Sequence, residues 1–236
     1  MENKLKKFLS YFELHEKILW LSSVTVIVTF FCIFDRREYL SLSASLIGVT
    51  FLILNAKGNP FGQFLTIVFS VLYGIISYGF SYYGEMITYL GMTAPMALFA
   101  LISWVLHPFK GNKKEVEINT VSGKEIAFMF ILSAVVTAGF YFILSYFNTA
   151  NIIPSTVSVT TSFLAVYLTF RRSRFFALCY AANDVVLIIL WAKATMQDIS
   201  YISVLVCFVV FFINDLYGFI NWSIMKKRQK DSSFNQ

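Results

Sequence analysis

Two Asn-Asp pairs are the residues of this chain whose types and spacing could do chemistry. Asn183-Asp184 lies within the apolar stretch 175–191, and Asn214-Asp215 lies within the apolar stretch 201–222. A carboxylate at the midplane of a bilayer costs about 2.5–3.5 kcal/mol even on lenient insertion scales. Two such pairs in consecutive hydrophobic segments therefore indicate a polar cavity between helices, and with it a permeation or binding site.

The composition of the chain is typical of a polytopic membrane protein. Of its 236 residues, 58% are hydrophobic, 18% are aromatic and only 14% are charged, whereas soluble domains carry about 25% charged residues. The net charge of +6 resides in loops and tails as a topology signal, which argues against a nucleic-acid-binding patch. The three cysteines lie in apolar segments without a CxxC partner, so neither a metal site nor a disulfide framework nor any cofactor is predicted.

Eight apolar stretches approach the about 17–25 residues that a transmembrane helix needs. We predict spans at residues 18–34, 40–56, 62–81, 85–107, 124–147, 151–170, 174–193 and 199–225. The longest loop, 108–123, is polar and rich in lysine. No cleavable signal peptide is expected, because the first apolar run is followed by Asp35-Arg36-Arg37-Glu38 rather than by small residues.

The distribution of positive charge predicts that both termini face the cytoplasm. With eight spans, sixteen of the nineteen Lys and Arg residues then lie inside, and only Arg36, Arg37 and Lys193 lie outside. Such an asymmetry follows the positive-inside rule. The inside set is Lys4, Lys6, Lys7, Lys17, Lys57, Lys110, Lys113, Lys114, Lys124, Arg171, Arg172, Arg174, Lys226, Lys227, Arg228 and Lys230.

The two halves of the chain resemble each other at an offset of 118 residues, which pairs Phe99 with Tyr217, Ser103 with Asn221 and Trp104 with Trp222. In the predicted topology, spans two to four and spans six to eight run in the same direction, and span five reverses the chain between them. Parallel repeats of this kind are a transporter architecture, with the substrate site near the midplane where the halves meet.

The predicted fold class is therefore an all-α integral membrane protein with eight transmembrane helices. One transporter domain covers residues 1–236. It comprises an extra N-terminal helix at 18–34, a three-helix bundle at 40–107, an inversion linker helix at 124–147 and a second, parallel three-helix bundle at 151–225.

Helix periodicity groups the candidate site residues, because positions three and four apart share a face. Aromatic side chains on such a face would stack on a flat heteroaromatic ring, and Asn and Asp would hydrogen-bond its polar edge or a sugar. A cationic ring would gain cation–π attraction and charge complementarity. The predicted substrate contacts are Asn183, Asp184, Asn214 and Tyr217, supported by Gln63, Tyr73, Phe176, Tyr180, Trp191 and Asp215.

Other interpretations of these residues stay open. Each Asn or Asp could instead hydrogen-bond between helices and serve their packing, and Trp104 and Trp222 could be interfacial anchors. The first half has no matching Asn-Asp pair, since Phe69-Ser70 and Ile102-Ser103 stand there. We therefore expect the C-terminal half to supply most of the polarity of the site.

The chain has no sequence signature of an enzyme. It contains no HExxH, nucleophile elbow, Walker motif or paired Cys/His cluster. The loops and termini are also too short to hold a separate catalytic domain, so we expect function to arise from the helices themselves.

Four stretches carry a resemblance to a known family. They are Leu54-Asn55-Ala56-Lys57-Gly58-Asn59, the segment from Tyr82-Tyr83-Gly84-Glu85-Met86 through Pro95 to Trp104, the segment from Asn183-Asp184 to Leu190-Trp191, and the segment 214–222. Together they resemble the PnuC-type family of nicotinamide riboside transporters. The resemblance implies two three-helix bundles joined by a linker helix, as in the SWEET sugar transporters. It also implies a substrate site between the bundles and a homotrimer in a bacterial cytoplasmic membrane. Transport would be facilitated diffusion with alternating access, and a cytosolic nucleoside kinase would trap the product without a stable complex.

The chain departs from the family at one place. The family often has Trp-x-x-Trp before the polar residue of the seventh helix, whereas Phe176 and Cys179 stand there in this sequence. Relatives of the family are thought to carry thiamine, riboflavin or deoxynucleosides, and these substrates remain alternatives. A membrane binding subunit that needs a separate energy-coupling partner is a further alternative.

Overall fold

The computed structural model describes residues 10–34, 36, 38–79, 82–149 and 151–234. In this part of the chain, eight helices are long and apolar enough to cross a membrane, so the predicted all-α, eight-span membrane fold is confirmed. The helices are α1 Leu14–Phe34, α2 Tyr39–Ala56, α3 Pro60–Gly79, α4 Tyr83–Leu106, α5 Gly123–Tyr146, α6 Ile152–Phe170, α7 Phe175–Thr195 and α8 Ile202–Phe234.

The helix bounds agree with the predicted spans except at two ends. Helix α1 begins earlier than predicted because Glu16 in its first turn accepts a hydrogen bond from the Glu13 backbone N–H at 2.8 Å, a contact that starts a helix. Helix α8 ends at residue 234 instead of 225. Lys4, Lys6, Lys7 and Arg37, which entered the orientation argument, and the predicted end of the third span at residues 80–81 lie outside the described residues.

The long loop between α4 and α5 is partly folded. Strands β1 Pro108–Phe109 and β2 Asn112–Val116 pair antiparallel around Lys110 and Gly111, both of which have positive φ. We call residues 108–119 the strap. The strap holds the extension of α8 through two hydrogen bonds with Gln229. Ile118 N donates to Gln229 Oε1 at 2.8 Å, and Gln229 Nε2 donates to Val116 O at 3.0 Å. Helix α8 therefore continues past the end of the predicted span at residue 225, because this polar extension is stabilised by the strap instead of by lipid.

Six of the helices form a closed ring. Along the ring, α2 packs on α3, α3 on α4, α4 on α6, α6 on α7, α7 on α8, and α8 back on α2. Helix α1 packs outside the ring against α2 and α8, and α5 packs outside it against α6. Ring closure gives these six helices an interior shared by both halves of the chain, where polar side chains can be buried away from lipid.

Helix α4 changes its winding in the middle of the ring. Its residues Tyr89–Thr93 form one turn of π-helix between two α-helical parts, Tyr83–Thr88 and Ala94–Leu106. Pro95 follows two residues after the turn ends, and because proline has no N–H, the Gly91 carbonyl loses its ordinary helical donor. Single π turns often occur at functional sites, and this one orients Tyr89 and Thr93 toward the interior of the ring.

The C-terminal ends of α2 and α6 have the same structure. Asn59 N donates to Leu54 O at 3.0 Å, and Ser173 N donates to Leu168 O at 2.9 Å, which is the helix-ending pattern with a left-handed residue after the last turn. That residue is Gly58 in the first case, with φ 66°, and Arg172 in the second, with φ 55°. The strap bonds to both turns, through Val116 N to Gly58 O at 2.9 Å and through Asn119 N to Arg172 O at 3.0 Å.

The contact between α2 and α3 depends on Gly62. A Cβ at this position would lie 2.2 Å from Asn55 Oδ1 and 2.9 Å from the Asn55 backbone nitrogen. We expect Gly62→Ala to lower the free energy of unfolding by about 1–3 kcal/mol, as overpacking does, and to lower the melting temperature of the purified protein in detergent. Gly139→Ala on α5 is the matched control, because nothing lies within 4 Å of its Cβ position. Equal melting temperatures for the two variants would contradict this account.

Candidate substrate-binding site

A cavity lies inside the ring. Its volume is about 30 Å³ in this structure, far below the roughly 300–1,000 Å³ of typical small-molecule sites, so a ligand of that size needs the helices to move apart. Helices α2, α3, α4, α7 and α8 line it. The lining residues are Phe51, Leu52, Asn55, Thr66, Phe69, Ser70, Tyr89, Thr93, Phe176, Tyr180, Asn183, Asp184, Phe211 and Asp215.

Two carboxyl groups meet at one wall of this cavity. Asp184 of α7 and Asp215 of α8 lie within hydrogen-bonding reach of each other, and they are only 4% and 5% exposed. Neither forms an ion pair with a described Lys, Arg or His, and Asp184 Oδ2 has no donor within the described ranges. Buried acceptors without a cation suit a ligand that brings positive charge or hydroxyl donors.

Asn183 lies beside the carboxyl pair. Its side-chain oxygen is 2.8–3.2 Å from three hydroxyls of α6, those of Ser158, Thr161 and Ser162. Its side-chain nitrogen makes no hydrogen bond with the described residues, and the residue lines the cavity. The cavity thus has an amide donor without a described partner beside one carboxyl oxygen without a described partner, Asp184 Oδ2.

An aromatic wall faces these polar groups. The rings of Phe51, Phe69 and Phe211 contact one another, with centroids 5.2, 5.5 and 6.1 Å apart. They come from α2, α3 and α8, so both halves of the chain contribute. Gly48 makes room for this wall, because a Cβ there would lie 2.1 Å from Phe211 Cζ. The wall can stack on a flat ring without the two indoles that this chain lacks on α7.

Five of the ten residues predicted from the sequence line the cavity: Phe176, Tyr180, Asn183, Asp184 and Asp215. A sixth, Gln63, lies behind it. The Gln63 side-chain nitrogen donates to Asn55 Oδ1 at 2.9 Å, and Asn55 itself lines the cavity.

Tyr73 and Trp191 lie next to the cavity, toward the end of the ring where α3 and α7 terminate. Trp191 Nε1 donates to Tyr73 Oη at 3.0 Å, and the Tyr73 ring packs on Phe69, Tyr89 and Phe208. The Tyr82 ring adds a further contact to Trp191 at 4.8 Å. We call these five aromatic residues the outer layer: Tyr73, Tyr82, Tyr89, Trp191 and Phe208.

Asn214 and Tyr217 point away from the cavity, toward α1. Asn214 Nδ2 donates to Ser23 Oγ at 3.0 Å and to Val210 O at 2.8 Å, which is the helix-packing role left open by the sequence. Tyr217 Oη donates to Glu16 Oε1 at 3.1 Å and lies 3.1 Å from His15 Nε2. In this structure neither residue is placed to contact a ligand in the ring.

Glu16, Lys57 and Tyr217 form a clasp between α1 and the ring. The Glu16 carboxylate is 2% exposed and accepts from Lys57 Nζ at 2.8 and 2.9 Å. Lys57 follows α2, whereas Tyr217 belongs to α8. One carboxylate of α1 therefore joins the two ring helices that close the ring at this side.

Sequence reasoning missed the contribution of the first half to the polarity of the site. Asn55, Thr66, Ser70 and Thr93 line the cavity from α2, α3 and α4, so the expectation that the C-terminal half supplies most of the polarity was wrong. The charge is asymmetric, since the acidic residues among the described lining are Asp184 and Asp215, both from the second half. Asn55 lies within the stretch that carried the family resemblance, and this was the available signal.

Trp104 and Trp222 close the other end of the ring. Both are 0% exposed, their rings are 5.3 Å apart, and the ring of Phe176 packs on both. With Met225 and the strap residue Val116 they form what we call the inner layer. Complete burial inside the protein rules out the interfacial anchoring that the sequence left open.

The two tryptophans make equivalent hydrogen bonds across the ring. Trp222 Nε1 donates to Asn55 O at 2.7 Å, and Trp104 Nε1 donates to Thr169 O at 2.9 Å. The preceding residues repeat the pattern, with Asn221 Nδ2 on Ala56 O at 2.8 Å and Ser103 Oγ on Phe170 O at 3.0 Å. Each set joins a helix of one half to the last residues of a helix of the other half.

Two arginines at the inner-layer end of the ring form ion pairs with glutamates of neighbouring elements. Arg171 pairs with Glu125 of α5 and Arg228 pairs with Glu115 of the strap. Hydrogen bonding to the Glu125 carboxylate raises the pKa of Arg171 above its ordinary value, so this guanidinium stays charged at any physiological pH.

Comparison with known proteins decides the family. The sequence model of the family described as "Nicotinamide mononucleotide transporter" matches residues 38–224, which includes ring helices α2, α3, α4, α6 and α7 and the part of α8 up to residue 224. The chain belongs to this transporter family. The match begins after α1, so the clasp joins a helix outside the matched region to Lys57 and Tyr217 inside it.

Relatives and a solved structure agree with this membership. The chain is 24% identical over 220 residues to the nicotinamide riboside transporter PnuC of Neisseria mucosa, with 91% of this chain and 83% of the relative covered. It is 22% identical over 218 residues to PnuC of Haemophilus influenzae, with 90% and 91% covered. The crystal structure of the vitamin B3 transporter PnuC has the same fold, with a TM-score of 0.80 at 23% identity over 92% of this chain and 94% of that one.

The clasp can be tested by removing its cation. Lys57→Met leaves the Glu16 carboxylate buried without its charged partner, and we expect the free energy of unfolding to fall by about 3–5 kcal/mol. Thermal unfolding in detergent measures this change, with Lys113→Met on the exposed strap as the control. The Lys57→Met, Glu16→Gln double variant should recover part of the loss. A Lys57→Met protein that melts like the wild type would show that the ion pair contributes nothing.

Proposed function

We propose that this protein transports nicotinamide riboside, a pyridine nucleoside and NAD precursor, across the membrane by alternating access. The observation that carries the proposal is the cavity inside the ring. There, in a member of a transporter family, two neighbouring carboxyl groups without a cation partner among the described residues face an aromatic wall. The curated relatives named for nicotinamide riboside support the substrate.

The chemistry of the ligand suits the cavity. Nicotinamide riboside has a flat cationic ring, a carboxamide and ribose hydroxyls. The ring would stack on Phe51, Phe69 or Phe211 and gain cation–π attraction, while Asp184 and Asp215 would balance its charge. Asn183 would donate to an acceptor on the ligand, and Tyr180 and Phe176 would complete the contacts.

We propose that α2–α4 and α6–α8 are the two parallel three-helix bundles, with α5 as the linker helix and α1 as the additional helix. The outer and inner layers lie on either side of the cavity and would act as its two gates. The four hydrogen bonds of Trp104, Ser103, Asn221 and Trp222 cross between the bundles, so opening the inner gate would break all of them together. Rocking of one bundle against the other fits parallel-repeat transporters.

The transport would be facilitated diffusion into the cytoplasm of a bacterium, with the inner-layer end and both termini on the cytoplasmic side of the inner membrane. The basic residues of the strap and of the Arg171–Arg174 turn support this orientation. A singly charged cation is drawn inward by about 2.3 kcal/mol per 100 mV. A cytosolic nucleoside kinase would then add a phosphate and trap the product, without a stable complex.

A homotrimer is part of the proposal. Helix α5 has a groove against α6 lined by small residues, including Ser133, Ala134, Thr137 and Ala138, and small residues let membrane helices approach closely. Native mass spectrometry that finds only monomers would contradict this part alone.

Uptake into proteoliposomes tests the function. We expect the wild type to take up labelled nicotinamide riboside, and Asn183→Ala to abolish uptake while the protein still inserts and folds, because its amide is the free donor in the cavity. Wild-type uptake by the variant would refute the assignment of Asn183.

A calorimetric panel of nicotinamide riboside, thiamine, riboflavin and deoxynucleosides decides the substrate. Purified protein that binds a ligand but moves none would instead favour a binding subunit.

The carboxyl pair should select for positive charge. Dihydronicotinamide riboside has nearly the same shape but a neutral ring, so wild-type protein should bind it at least about tenfold more weakly, equivalent to about 1.4 kcal/mol. An interaction of about 4 kcal/mol is available to charges about 4 Å apart at an effective dielectric constant near 20. The Asp184→Asn, Asp215→Asn double variant should lose this preference, as measured by calorimetry. A preference that survives both substitutions would assign charge selection elsewhere.

A further inference from the structure

Three hydroxyls converge on a single oxygen behind the cavity. Thr161 Oγ1 lies 2.8 Å, Ser162 Oγ 3.1 Å and Ser158 Oγ 3.2 Å from Asn183 Oδ1. All three belong to α6, the one ring helix that contributes no residue to the cavity lining. These hydroxyls therefore cannot contact a ligand in the cavity directly and can act on it only through Asn183.

The hydroxyls determine which edge of the amide faces the ligand. Ser162 is 2% exposed, and within the described part of the chain its hydroxyl has Asn183 Oδ1 as its acceptor. If the amide turned over, the Ser162 proton would face an N–H group in a buried place, and an orphaned buried donor is unfavourable. Thr161 also reaches the carbonyls of Val157 and Ser158, and Ser158 also contacts Glu85, so Ser162 is the most selective of the three.

We propose that Ser158, Thr161 and Ser162 are positioning residues that hold the Asn183 amide with its NH₂ edge toward the cavity. The site then requires a hydrogen-bond acceptor on the ligand at this place, next to the acceptors Asp184 and Asp215, which require positive charge or donors. This inference rests on the proposed function for the identity of the ligand. The orientation of the amide itself rests on the hydrogen bonds alone.

Substitutions on α6 test the consequence for binding. Thr161→Val keeps the shape of the side chain and removes the hydroxyl, and Ser162→Ala removes the second one. We expect the double variant to bind nicotinamide riboside about tenfold more weakly by calorimetry and to show a raised KM with an unchanged maximal rate of uptake. When Thr161→Ser replaces Thr161→Val in the double variant, the hydroxyl returns. The affinity for nicotinamide riboside should then equal that of the Ser162→Ala single variant. Wild-type affinity in a folded double variant would overturn the proposal.

A neighbouring threonine provides the matched control. Thr160 is on the same helix, but its hydroxyl lies 2.9 Å from that of Thr137 on α5, on the side away from the cavity. Thr160→Val should therefore leave the affinity for nicotinamide riboside unchanged. A loss as large as that of Thr161→Val would show that any hydroxyl lost from α6 disturbs the site, and the positioning role would be wrong.

A measurement without ligand separates this inference from the proposed function. In a thermal double-mutant cycle, Ser162→Ala should lower the melting temperature of the wild type but have little further effect in Asn183→Ala, because the shared hydrogen bond is already lost. Additive effects would contradict the hydrogen bond and with it the proposal. Wild-type protein that binds no nicotinamide riboside would refute the proposed function, while this cycle would still judge the position of the amide. Should the Thr161→Val, Ser162→Ala double variant not fold, this cycle still decides, because it uses only Ser162→Ala and Asn183→Ala.

Discussion

A hydrogen-bonding group inside a bilayer finds no water, and the rest of this structure depends on that constraint. The ring of six helices satisfies it by turning polar side chains inward, where they meet partners from other helices. Gln63 bonds to Asn55, Asn183 to the hydroxyls of α6, and Trp191 to Tyr73. Two buried side-chain oxygens without a partner among the described residues, Thr93 Oγ1 and Asp184 Oδ2, belong to residues that line the cavity, and a passing ligand can satisfy them.

Hydropathy and charge were sufficient to predict the eight spans, because membrane thickness and backbone hydrogen bonding leave few alternatives to a helix of that length. The offset that aligns Trp104 with Trp222 also had a physical counterpart, since both indoles donate to carbonyls at the ends of helices in the opposite half. In each of these cases, the hydropathy, charge or residue match that predicts the structure can be found within one segment or by comparing two equivalent segments.

The site was only partly predictable, because a helix face is defined by its neighbours. Asn214 and Tyr217 share the polar character of Asp215, yet α1 packs on that side of α8 and provides Ser23 and Glu16 as partners. The π turn before Pro95 shifts the helical period, so spacing alone could not place Tyr89 and Thr93 in the cavity. The aromatic wall joins residues from three helices, and no single stretch of sequence shows it.

The inner layer has a consequence for how this protein can vary over evolutionary time. Its tryptophans donate to the backbone carbonyls of Asn55 and Thr169, and Asn221 and Ser103 donate to those of Ala56 and Phe170. Every residue has a carbonyl, so substitutions at these four accepting positions leave the acceptors in place as long as the helix ends keep their course. Sequence drift is therefore tolerated on the accepting side and restricted on the donating side. Two halves that share few residues can in this way have the same closing contacts.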